Sequence, residues 1–469
     1  MQFSRRWLLG ASLAGAGSAL LPGSRRSSSP RWPGPSRTSD YLLARESPVY
    51  DPTFAAFANS LSLSAGDELV VRVRADSPLD VRIERVGWDA NDRGASGWGG
   101  PPMLSVEEVR VERVDDTVPL QSWPTVVNVR VTEAWRSGLY LAVVTDTRDR
   151  SRRRFAPFVV RATQPGAIVV GVPFTTYHAY NAWGGASLYP YNSPAGVATD
   201  LPIARPFDVF DGAGFAFYGD WQLARWLDRE RYDVTYVTSY DLHADPTVLS
   251  GAQLFVSAFH DEYWSTPMRD CIEHHVADGG NAAFLAANSL YWRVRLDEAT
   301  MTCHKAERFE DDPHRDITAQ WRSPLIAKPE HQLLGSWYEA YQFPYGSGQA
   351  WTVTDADHWL YDGTGLTNGA PLPGLVGYEW DHAPRPVPAG VRVLSSTEFV
   401  DADGDRRRHE ATERTHPGGG IVVNVGTTYW PRFLVGDTAF RTDPLVERMT
   451  HNLLRRLGTP ARRRHDHLR

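Results

Sequence analysis

Residues 55–165 contain short runs in which apolar and polar side chains alternate. The clearest runs lie at 68–74, 81–86 and 126–131, and further strand-like runs follow at 137–144 and 155–161. A period of two is typical of strands that bury one face, and turn-forming residues separate the runs. Pro165 and Gly166 end the region. The pattern predicts a β-sandwich domain over 41–165.

From Ala167 onward the apolar runs become continuous and alternate with amphipathic stretches. Continuous apolar runs are typical of parallel strands that are covered on both faces. The predicted strands lie at 167–172, 232–237, 253–258 and 281–287, and the clearest predicted helices lie at 221–229 and 265–279. The pattern predicts an α/β domain with a parallel sheet over 166–460.

Polar side chains follow several of these predicted strands directly. In open parallel sheets ligands bind outside the carboxyl ends of the strands. The segment His260, Asp261 and Glu262 and the single residue Asn288 occupy such positions, as do residues 175–181. As a bare tripeptide the segment is a weak signal, because Asp261 could cap the next helix and His260 could be a hydrogen-bonded core residue. Its position after a buried strand favours a catalytic role.

The first residues form a pattern of their own. Arg5 and Arg6 precede a mildly apolar run over 7–21, which resembles a twin-arginine export signal. The run is shorter than the ~20 apolar residues that cross a bilayer. Residues 22–40 are rich in Pro, Ser and Arg, as disordered spacers are. We therefore expect residues 1–40 to be a cleavable signal and spacer, and the mature chain to be periplasmic or extracellular without a membrane anchor.

Composition excludes some classes of protein. The 469 residues carry 49 Lys and Arg against 56 Asp and Glu, a net charge of -7. A chain of this sign gains nothing from neutralising phosphates, so no nucleic-acid partner is expected. The two cysteines, Cys271 and Cys303, exclude a disulfide scaffold and a cysteine-rich zinc site, and leave one disulfide open.

Short motifs over residues 130–458 carry a resemblance to a known family. They are SGLY at 137–140, YNAWGGASLY at 180–189, YDLH at 240–243, HDEYWS at 260–265, NSLYWRV at 288–294, GYEWD at 377–381 and GTTYW at 426–430. With these motifs the chain resembles the C-terminal catalytic region of the N,N-dimethylformamidase large (beta) subunit-like family.

The resemblance implies a fold, a cofactor and an activity. It implies a glutamine-amidotransferase-like (flavodoxin-like) parallel sheet domain without the cysteine nucleophile of that fold. It also implies a mononuclear Fe(III) held by Tyr140, Tyr180 and Glu262, with metal-activated water cleaving the C–N bond of a small amide or formamide substrate. Three anionic oxygens suit this hard cation. Because Tyr140 belongs to the predicted sandwich, the metal would lie at the junction of the two domains.

Roles for further residues follow as a hypothesis. His260 would carry protons and finally protonate the departing amine. Asn288 would hold the attacking water or the oxyanion. Glu379 and Glu398 are further acidic candidates for catalysis, and a structural role in loop bonding suits both equally well.

Two other classes of function stay open from the sequence. In the first, His260, Glu262 and a second histidine such as His178 hold zinc in a different metallohydrolase. In the second, the chain is a non-catalytic exported binding protein that keeps an amidotransferase-like fold. The state of assembly is also open, either as a homo-oligomer or with an unidentified small subunit, because the large subunit of the known enzyme pairs with one.

Overall fold

A computed structural model describes the chain over 51, 53–88, 104–114, 117–217, 219–342, 348–401, 404–436 and 441–459. The predicted signal and spacer at 1–40 lie outside these residues. Within the described ranges, no helix combines the length and apolar character that crossing a membrane requires.

The described strands and helices follow in chain order. The strands are β1 Ala55–Ala58, β2 Ser62–Leu63, β3 Glu68–Arg74, β4 Leu79–Arg85, β5 Leu104–Val109, β6 Thr125–Arg130, β7 Gly138–Asp146, β8 Arg153–Val160, β9 Ile168–Val172, β10 Asp200–Pro202, β11 Val234–Thr238, β12 Leu254–His260, β13 Tyr263–Ser265, β14 Asn281–Ala287, β15 Trp292–Leu296, β16 Thr300–Thr302, β17 Trp337–Tyr341, β18 Gln349–Thr352, β19 Pro371–Val376, β20 Glu379–His382, β21 Val391–Val400, β22 Arg406–Thr415 and β23 Ile421–Asn424. The helices are α1 Phe174–Tyr180, α2 Asp220–Arg229, α3 Ser239–Ala244, α4 Thr266–Ala277, α5 His331–Leu334, α6 Arg432–Val435 and α7 Pro444–Leu457.

The first eight strands form two sheets. One has the order β1-β3-β6 and the other the order β2-β8-β7-β4-β5. Side chains from both sheets meet in one buried cluster that includes Val71, Ile83 and Phe158. The alternation read from the sequence therefore places every second side chain of β3 and β4 in a core that the two sheets share.

The largest sheet has the order β11-β9-β12-β14-β23-β22-β21. Its first five strands run parallel, and β22 and β21 are antiparallel. All seven residues of β12 are buried, because helices cover both faces of the sheet. Ile272 of α4 packs on one face with Phe255, and Leu453 of α7 packs on the other with Val256.

Helix α4 illustrates how local sequence sets an element boundary. Ser265 caps the helix by accepting a hydrogen bond from the backbone N–H of Met268, and Pro267 occupies the first turn. A hydroxyl cap with proline in the first turn is a strong start signal. The sequence predicted this start, which returns the chain towards β14.

The prediction of an α/β chain is confirmed in its coarser form, as a mixed α/β structure with several sheets and few helices. The β-sandwich, the glutamine-amidotransferase-like sheet and the boundaries at 40, 165 and 460 stay predictions. Cys271 and Cys303 are buried free thiols, so the structure does not contain the disulfide that the sequence left open.

Candidate active site

The carboxyl end of β12 is the centre of the candidate site. The backbone of Phe259 adopts a left-handed conformation, with φ 58°. This conformation is unfavourable for a bulky aromatic residue, and such strain is concentrated at functional sites. The β12 and β14 register pairs His260 with Ala287. His260 and Asn288 therefore leave neighbouring strands side by side.

His260 forms a buried pair with Glu379, the first residue of β20. The imidazole Nε2 lies 2.5 Å from Glu379 Oε2, and its Nδ1 lies 3.8 Å from Glu262 Oε2. Burial by itself lowers the pKa of His260, but the Glu379 carboxylate outweighs that effect and raises the pKa to about 9. The imidazole is thus held between two carboxylates. The sequence placed Glu379 among the catalytic candidates, and the structure brings it to His260.

Phenolic and carboxylate oxygens converge beside this pair. The Tyr180 hydroxyl donates to Glu262 Oε2 at 2.6 Å, and the Tyr189 hydroxyl donates to the Tyr180 oxygen at 2.8 Å. The Tyr189 hydroxyl also lies 3.2 Å from each oxygen of Glu262, and the Tyr263 hydroxyl donates to Tyr189 at 2.6 Å. We call Tyr180, Tyr189, Tyr263 and Glu262 the tyrosine cluster.

Burial determines the acidity of the tyrosine cluster. It raises the pKa of Tyr180, Tyr189 and Tyr263 well above the usual value for a phenol, and the nearby carboxylate of Glu262 raises them further. Burial likewise raises the pKa of Glu262, although His260 opposes this. A cation would favour the anionic forms of the same groups.

Lys305 brings a half-buried cation to the edge of the tyrosine cluster. Its Nζ lies 3.4 Å from the ring centroid of Tyr189, 5.1 Å from that of Trp292 and 5.5 Å from that of Tyr263. Three aromatic rings thus surround the ammonium group. Burial lowers the pKa of Lys305, and the Glu262 carboxylate opposes the shift.

Sequence reasoning missed Tyr189, Tyr263 and Lys305. The first two lie inside motifs that the sequence analysis quoted, and Tyr263 directly follows Glu262. The motifs therefore pointed to Tyr189 and Tyr263, but the many aromatic residues of the chain made a structural role the default interpretation. No pattern around Lys305 distinguishes it from a surface lysine.

Asn288 and Asp261 are both buried at the strand ends. The backbone N–H of Asn288 donates to Asp381 Oδ1, while its side-chain Oδ1 has no hydrogen-bond partner among the described residues. Asp261 accepts hydrogen bonds from the Ser257 hydroxyl and the Trp264 indole. Asp261 therefore supports the turn, and Ser265 rather than Asp261 caps the following helix.

Tyr140 lies away from the tyrosine cluster, so the structure does not bring it together with the other two predicted ligands, Tyr180 and Glu262. Its hydroxyl donates to the backbone oxygen of Arg136 at 2.8 Å, and its ring stacks between Trp135 and Phe158. Alternate side chains of a strand point to opposite faces. Tyr140 lies on the face of β7 that forms the core shared by the first two sheets, and Leu139 and Leu141 lie on the face towards the central sheet.

Glu398 is not brought to the site either. It lies on β21, its side chain is 64% exposed, and it pairs with Arg408 across the hairpin. The Arg408 guanidinium holds the pKa of Glu398 below its usual range. This placement fits a surface ion pair and no part of the chemistry.

The zinc alternative does not match the geometry. The ring of His178 is fully buried and contacts Phe207 and Tyr240. Neither ring nitrogen has a hydrogen-bond partner among the described residues. In that part of the chain, no three or more His, Cys, Asp or Glu side chains form a group that could hold a metal.

Tyrosine oxygens offer a different donor set. The oxygens of Tyr180, Tyr189 and Glu262 lie within 2.6–3.2 Å of one another in a buried position. They are close enough for one small cation to contact all of them, and such a cation would offset the charge of the buried anions. Hard anionic oxygens of this kind suit a trivalent iron. Tyr189 would take the place that the sequence analysis gave to Tyr140.

Comparison with known proteins identifies the family. Residues 80–441 match the profile of the family described as N,N-dimethylformamidase beta subunit-like, C-terminal. Over 78 residues, 16% of this chain, it is 33% identical to the N,N-dimethylformamidase beta subunit of Paracoccus aminophilus. Over a segment of the same length it is 31% identical to that of Alcaligenes sp. Each match spans only 10% of the relative.

A solved structure titled mmIFT52 N-terminal domain aligns with 52% of this chain and 92% of its own, at 12% identity. Its TM-score of 0.30 is too low to support a conclusion about fold or function. The family match covers most of the chain and includes His260, Glu262 and Glu379. The chain belongs to the N,N-dimethylformamidase beta subunit-like, C-terminal family.

Proposed function

We propose that the chain is an amidohydrolase that cleaves the C–N bond of a small amide or formamide with the help of a mononuclear Fe(III). One observation carries the proposal: the oxygens of Tyr180, Tyr189 and Glu262 converge beside the buried pair of His260 and Glu379. Buried acids without a structural need to meet are a feature of active sites. Membership of the family supports the choice of an amide as substrate.

The proposal includes the finer fold. Numbered along the chain, the five parallel strands have the order 2-1-3-4-5, which is the order of flavodoxin-like sheets. This supports a glutamine-amidotransferase-like domain in which β12 is the third strand. The site would then occupy the end of the sheet at which such folds bind ligands. The shared core of the first two sheets supports a β-sandwich before it.

Tyr180, Tyr189 and Glu262 would hold the iron. When bound, the metal would supply Lewis acidity, which polarises a carbonyl and makes water a better nucleophile at neutral pH. The chain provides three anionic donors for it, and Lys305 limits the net negative charge of the pocket. Tyr263 would hold Tyr189 in place through its hydroxyl.

His260, Glu379 and Asn288 would carry out the proton transfers and hold the reacting groups. Water adds its oxygen to the carbonyl carbon, the C–N bond breaks, and the products are a carboxylic acid and an amine. His260, which its raised pKa keeps protonated at neutral pH, would give its proton to the amine nitrogen and take one from the attacking water in its place, while Glu379 fixes the imidazole through Nε2. The unpartnered Oδ1 of Asn288 is a ready acceptor for the attacking water.

The experiment is to purify the chain and measure metal content, visible absorption and the release of dimethylamine from N,N-dimethylformamide. We expect about one iron per chain, a tyrosinate absorption band and turnover that depends on the iron. Formamide and a peptide serve as comparison substrates. Stoichiometric zinc would contradict the iron assignment, and a metal-loaded chain that releases amine from none of these amides would contradict the hydrolase assignment.

We also propose export by the twin-arginine route, with the chain folded and loaded with metal before transport. The support is Arg5 and Arg6 ahead of the weakly apolar run. Replacing both with Lys should leave the protein inside the cell, and a variant with Arg25 and Arg26 changed to Lys is the matched control. Secretion of the first variant at the normal level would refute the route.

The partner is proposed on the basis of the relatives. The curated relatives are beta subunits, which supports pairing with a small subunit as an alternative to a homo-oligomer. Mass measurement of the purified chain in solution, alone and from its native host, distinguishes the two. Activity of the isolated chain equal to that of the native preparation would exclude a required second subunit.

A further inference from the structure

Strand β20 lies across the carboxyl ends of three central strands. Residues two apart on a strand share a face, so Glu379 and Asp381 point to the same side of β20. Glu379 meets His260 at the end of β12. Asp381 contacts Asn288 after β14 and Asn424 at the end of β23. A single strand thus contacts both catalytic candidates at the strand ends.

Both oxygens of Asp381 are used inside the protein. Oδ1 accepts the backbone N–H of Asn288 at 2.9 Å, and Oδ2 accepts an N–H of the Asn424 amide at 2.8 Å. Asp381 and Asn424 are completely buried. The Asn424 amide also donates to the Ser336 hydroxyl, and its oxygen accepts the N–H of Gly426. Each hydrogen bond of this network therefore has a defined donor and acceptor.

The backbone of Asn288 explains why an anchor is needed there. Asn288 adopts a left-handed conformation with φ 54°, which asparagine tolerates better than most residues but which is still sparsely populated. Its side-chain Oδ1 is buried and has no hydrogen-bond partner in the part of the chain that the structure describes. A side chain that must meet a reacting group has to be held by its backbone, and the Asp381 carboxylate supplies that restraint.

The motif at 426–430 holds β20 in this position. The backbone N–H of Asp381 donates to the oxygen of Gly426 at 3.0 Å, and that of Thr428 donates to the oxygen of Glu379 at 3.3 Å. Gly426 has φ 62°, and an added Cβ would lie 2.9 Å from the oxygen of Glu410 and 3.4 Å from the Cβ of Asp381. Only glycine allows this close approach. The motifs at 377–381 and 426–430 thus build one support.

We propose that Asp381 is a positioning residue that fixes Asn288 for catalysis, with Asn424 as the third residue of this hydrogen-bond network. This inference rests on the proposed function and deepens it. Asp381 does not contact the tyrosine cluster in any hydrogen bond of the described residues, so it acts through Asn288 and not through the metal ligands. Loss of its contact should lower kcat and leave metal binding intact.

The test exchanges the acid and the amide. Asp381→Asn places an amide N–H donor opposite another donor, and Asn424→Asp places two carboxylates opposite each other. Each single variant therefore loses the hydrogen bond between positions 381 and 424. The double variant restores one acid facing one amide, and the Ser336 hydroxyl can turn to donate to the new carboxylate. We expect kcat for N,N-dimethylformamide to fall about 100-fold in each single variant and to recover within about tenfold in the double variant.

A second cycle asks whether Asp381 acts through Asn288. In an Asn288→Ala background, Asp381→Asn should change kcat by no more than about twofold, because the positioned group is gone. Asp146→Asn is the matched control, since Asp146 is a buried acid of the first sheets that also accepts backbone N–H bonds, and it should leave kcat unchanged. Iron content should match that of the natural chain in every variant.

Equal losses in both backgrounds, or no recovery in the double variant, would overturn the proposal. If the natural chain releases no amine from any amide, the proposed function fails, and hydrogen exchange in residues 286–291 then decides the positioning role. Exchange should be faster in Asp381→Asn and should return towards normal in the double variant. Unchanged exchange in Asp381→Asn would overturn the positioning of Asn288 independently of any activity.

Discussion

Tyr140 is a fully buried tyrosine and Tyr180 a half-buried one, and both lie near aromatic rings, yet their hydroxyls have different partners. Among the described residues, the Tyr140 hydroxyl donates to the backbone oxygen of Arg136, four residues earlier. The Tyr180 hydroxyl contacts the Glu262 carboxylate, a residue 82 positions away, and also the hydroxyl of Tyr189. The first contact fixes a local corner of a strand. The second collects acidic groups from several elements at one point.

The difference shows which property separates a structural tyrosine from a candidate ligand. An aromatic neighbourhood is common to both, so this property does not discriminate between them. A buried hydroxyl needs a hydrogen-bond partner, and a single nearby carbonyl is enough to provide it. Hydroxyls that hydrogen-bond to a buried carboxylate can become anionic when a cation binds, and their negative charge then stabilises the bound cation.

The largest expected effect comes from Glu262, the acid of the tyrosine cluster. Glu262→Gln keeps the shape of the side chain and removes its charge, so the remaining phenols should hold a trivalent ion poorly. We expect iron content, the visible band and amide hydrolysis all to fall to background. Metal analysis and absorption spectra check this. A Glu262→Gln chain with a full complement of iron would remove Glu262 from the ligand set.

His260→Ala should separate proton transfer from metal binding. We expect kcat to fall by ~10²–10⁴-fold, the usual contribution of a general acid or base. Iron content and absorption should persist, because the tyrosine cluster stays intact. Steady-state kinetics and metal analysis on the same preparation provide the measurement. Loss of iron equal to that of Glu262→Gln would show that the imidazole is a ligand.

Tyr189→Phe and Tyr140→Phe form a matched pair that tests the comparison directly. Each removes one hydroxyl from a buried ring. Tyr189→Phe should weaken iron binding at least about tenfold, the lower limit seen when groups that support a metal site are removed. Tyr140→Phe should leave iron binding unchanged and lower the free energy of unfolding by about 1 kcal/mol, the value of one hydrogen bond. The reverse result would restore Tyr140 as the ligand.

His409, like Tyr140, is a buried polar side chain with a structural role, and its protonation makes the stability of the fold depend on pH. Its ring is completely buried and shares a hydrogen bond with the oxygen of Val425. Burial lowers the pKa of His409 from its usual 6.5 to about 4. The folded chain keeps this ring neutral, so its stabilising contribution is present above pH 6.5 and is lost as the pH falls from 6.5 towards 4.

The expected loss for His409 is of order 1–3 kcal/mol in the free energy of unfolding. Denaturant unfolding at pH 7 and pH 5 measures it, and His409→Gln, which keeps a donor but cannot be protonated, is the control. The pH dependence should be weaker in the control. An identical pH dependence in both proteins would assign the acid sensitivity to other groups.

The sequence predicted the elements that depend on strong periodicity. The buried strands at 167–172, 253–258 and 281–287 appear as β9, β12 and β14, because continuous apolar runs suit strands that are covered on both faces. The geometry of parallel sheets then placed His260, Glu262 and Asn288 together without any knowledge of contacts. Glu379 needed the motif as well as the pattern.

The remaining members of the site depend on contacts that periodicity does not encode. The structure places Tyr140 apart from the tyrosine cluster, which the sequence did not reveal because the motif gave no information on which face of β7 it occupies. Glu398 lies in a surface ion pair, which the sequence did not reveal because an acid on a hairpin has the same local pattern as an acid in a cleft. Lys305 was missed because its burial depends on three rings from distant parts of the chain.

The two faces of β7 also bear on the order in which the protein matures. Leu139, Leu141 and Val143 belong to a core whose other members extend to Leu457. While the ribosome is still making the later residues, these three side chains are not covered by the central sheet, although the first two sheets are already complete. A fragment that ends at residue 165 should therefore bind a hydrophobic dye strongly and the full chain weakly. Equal dye binding by the fragment and the full chain would show that another surface shields this face. Strong dye binding by the fragment would indicate that the nascent chain needs a chaperone.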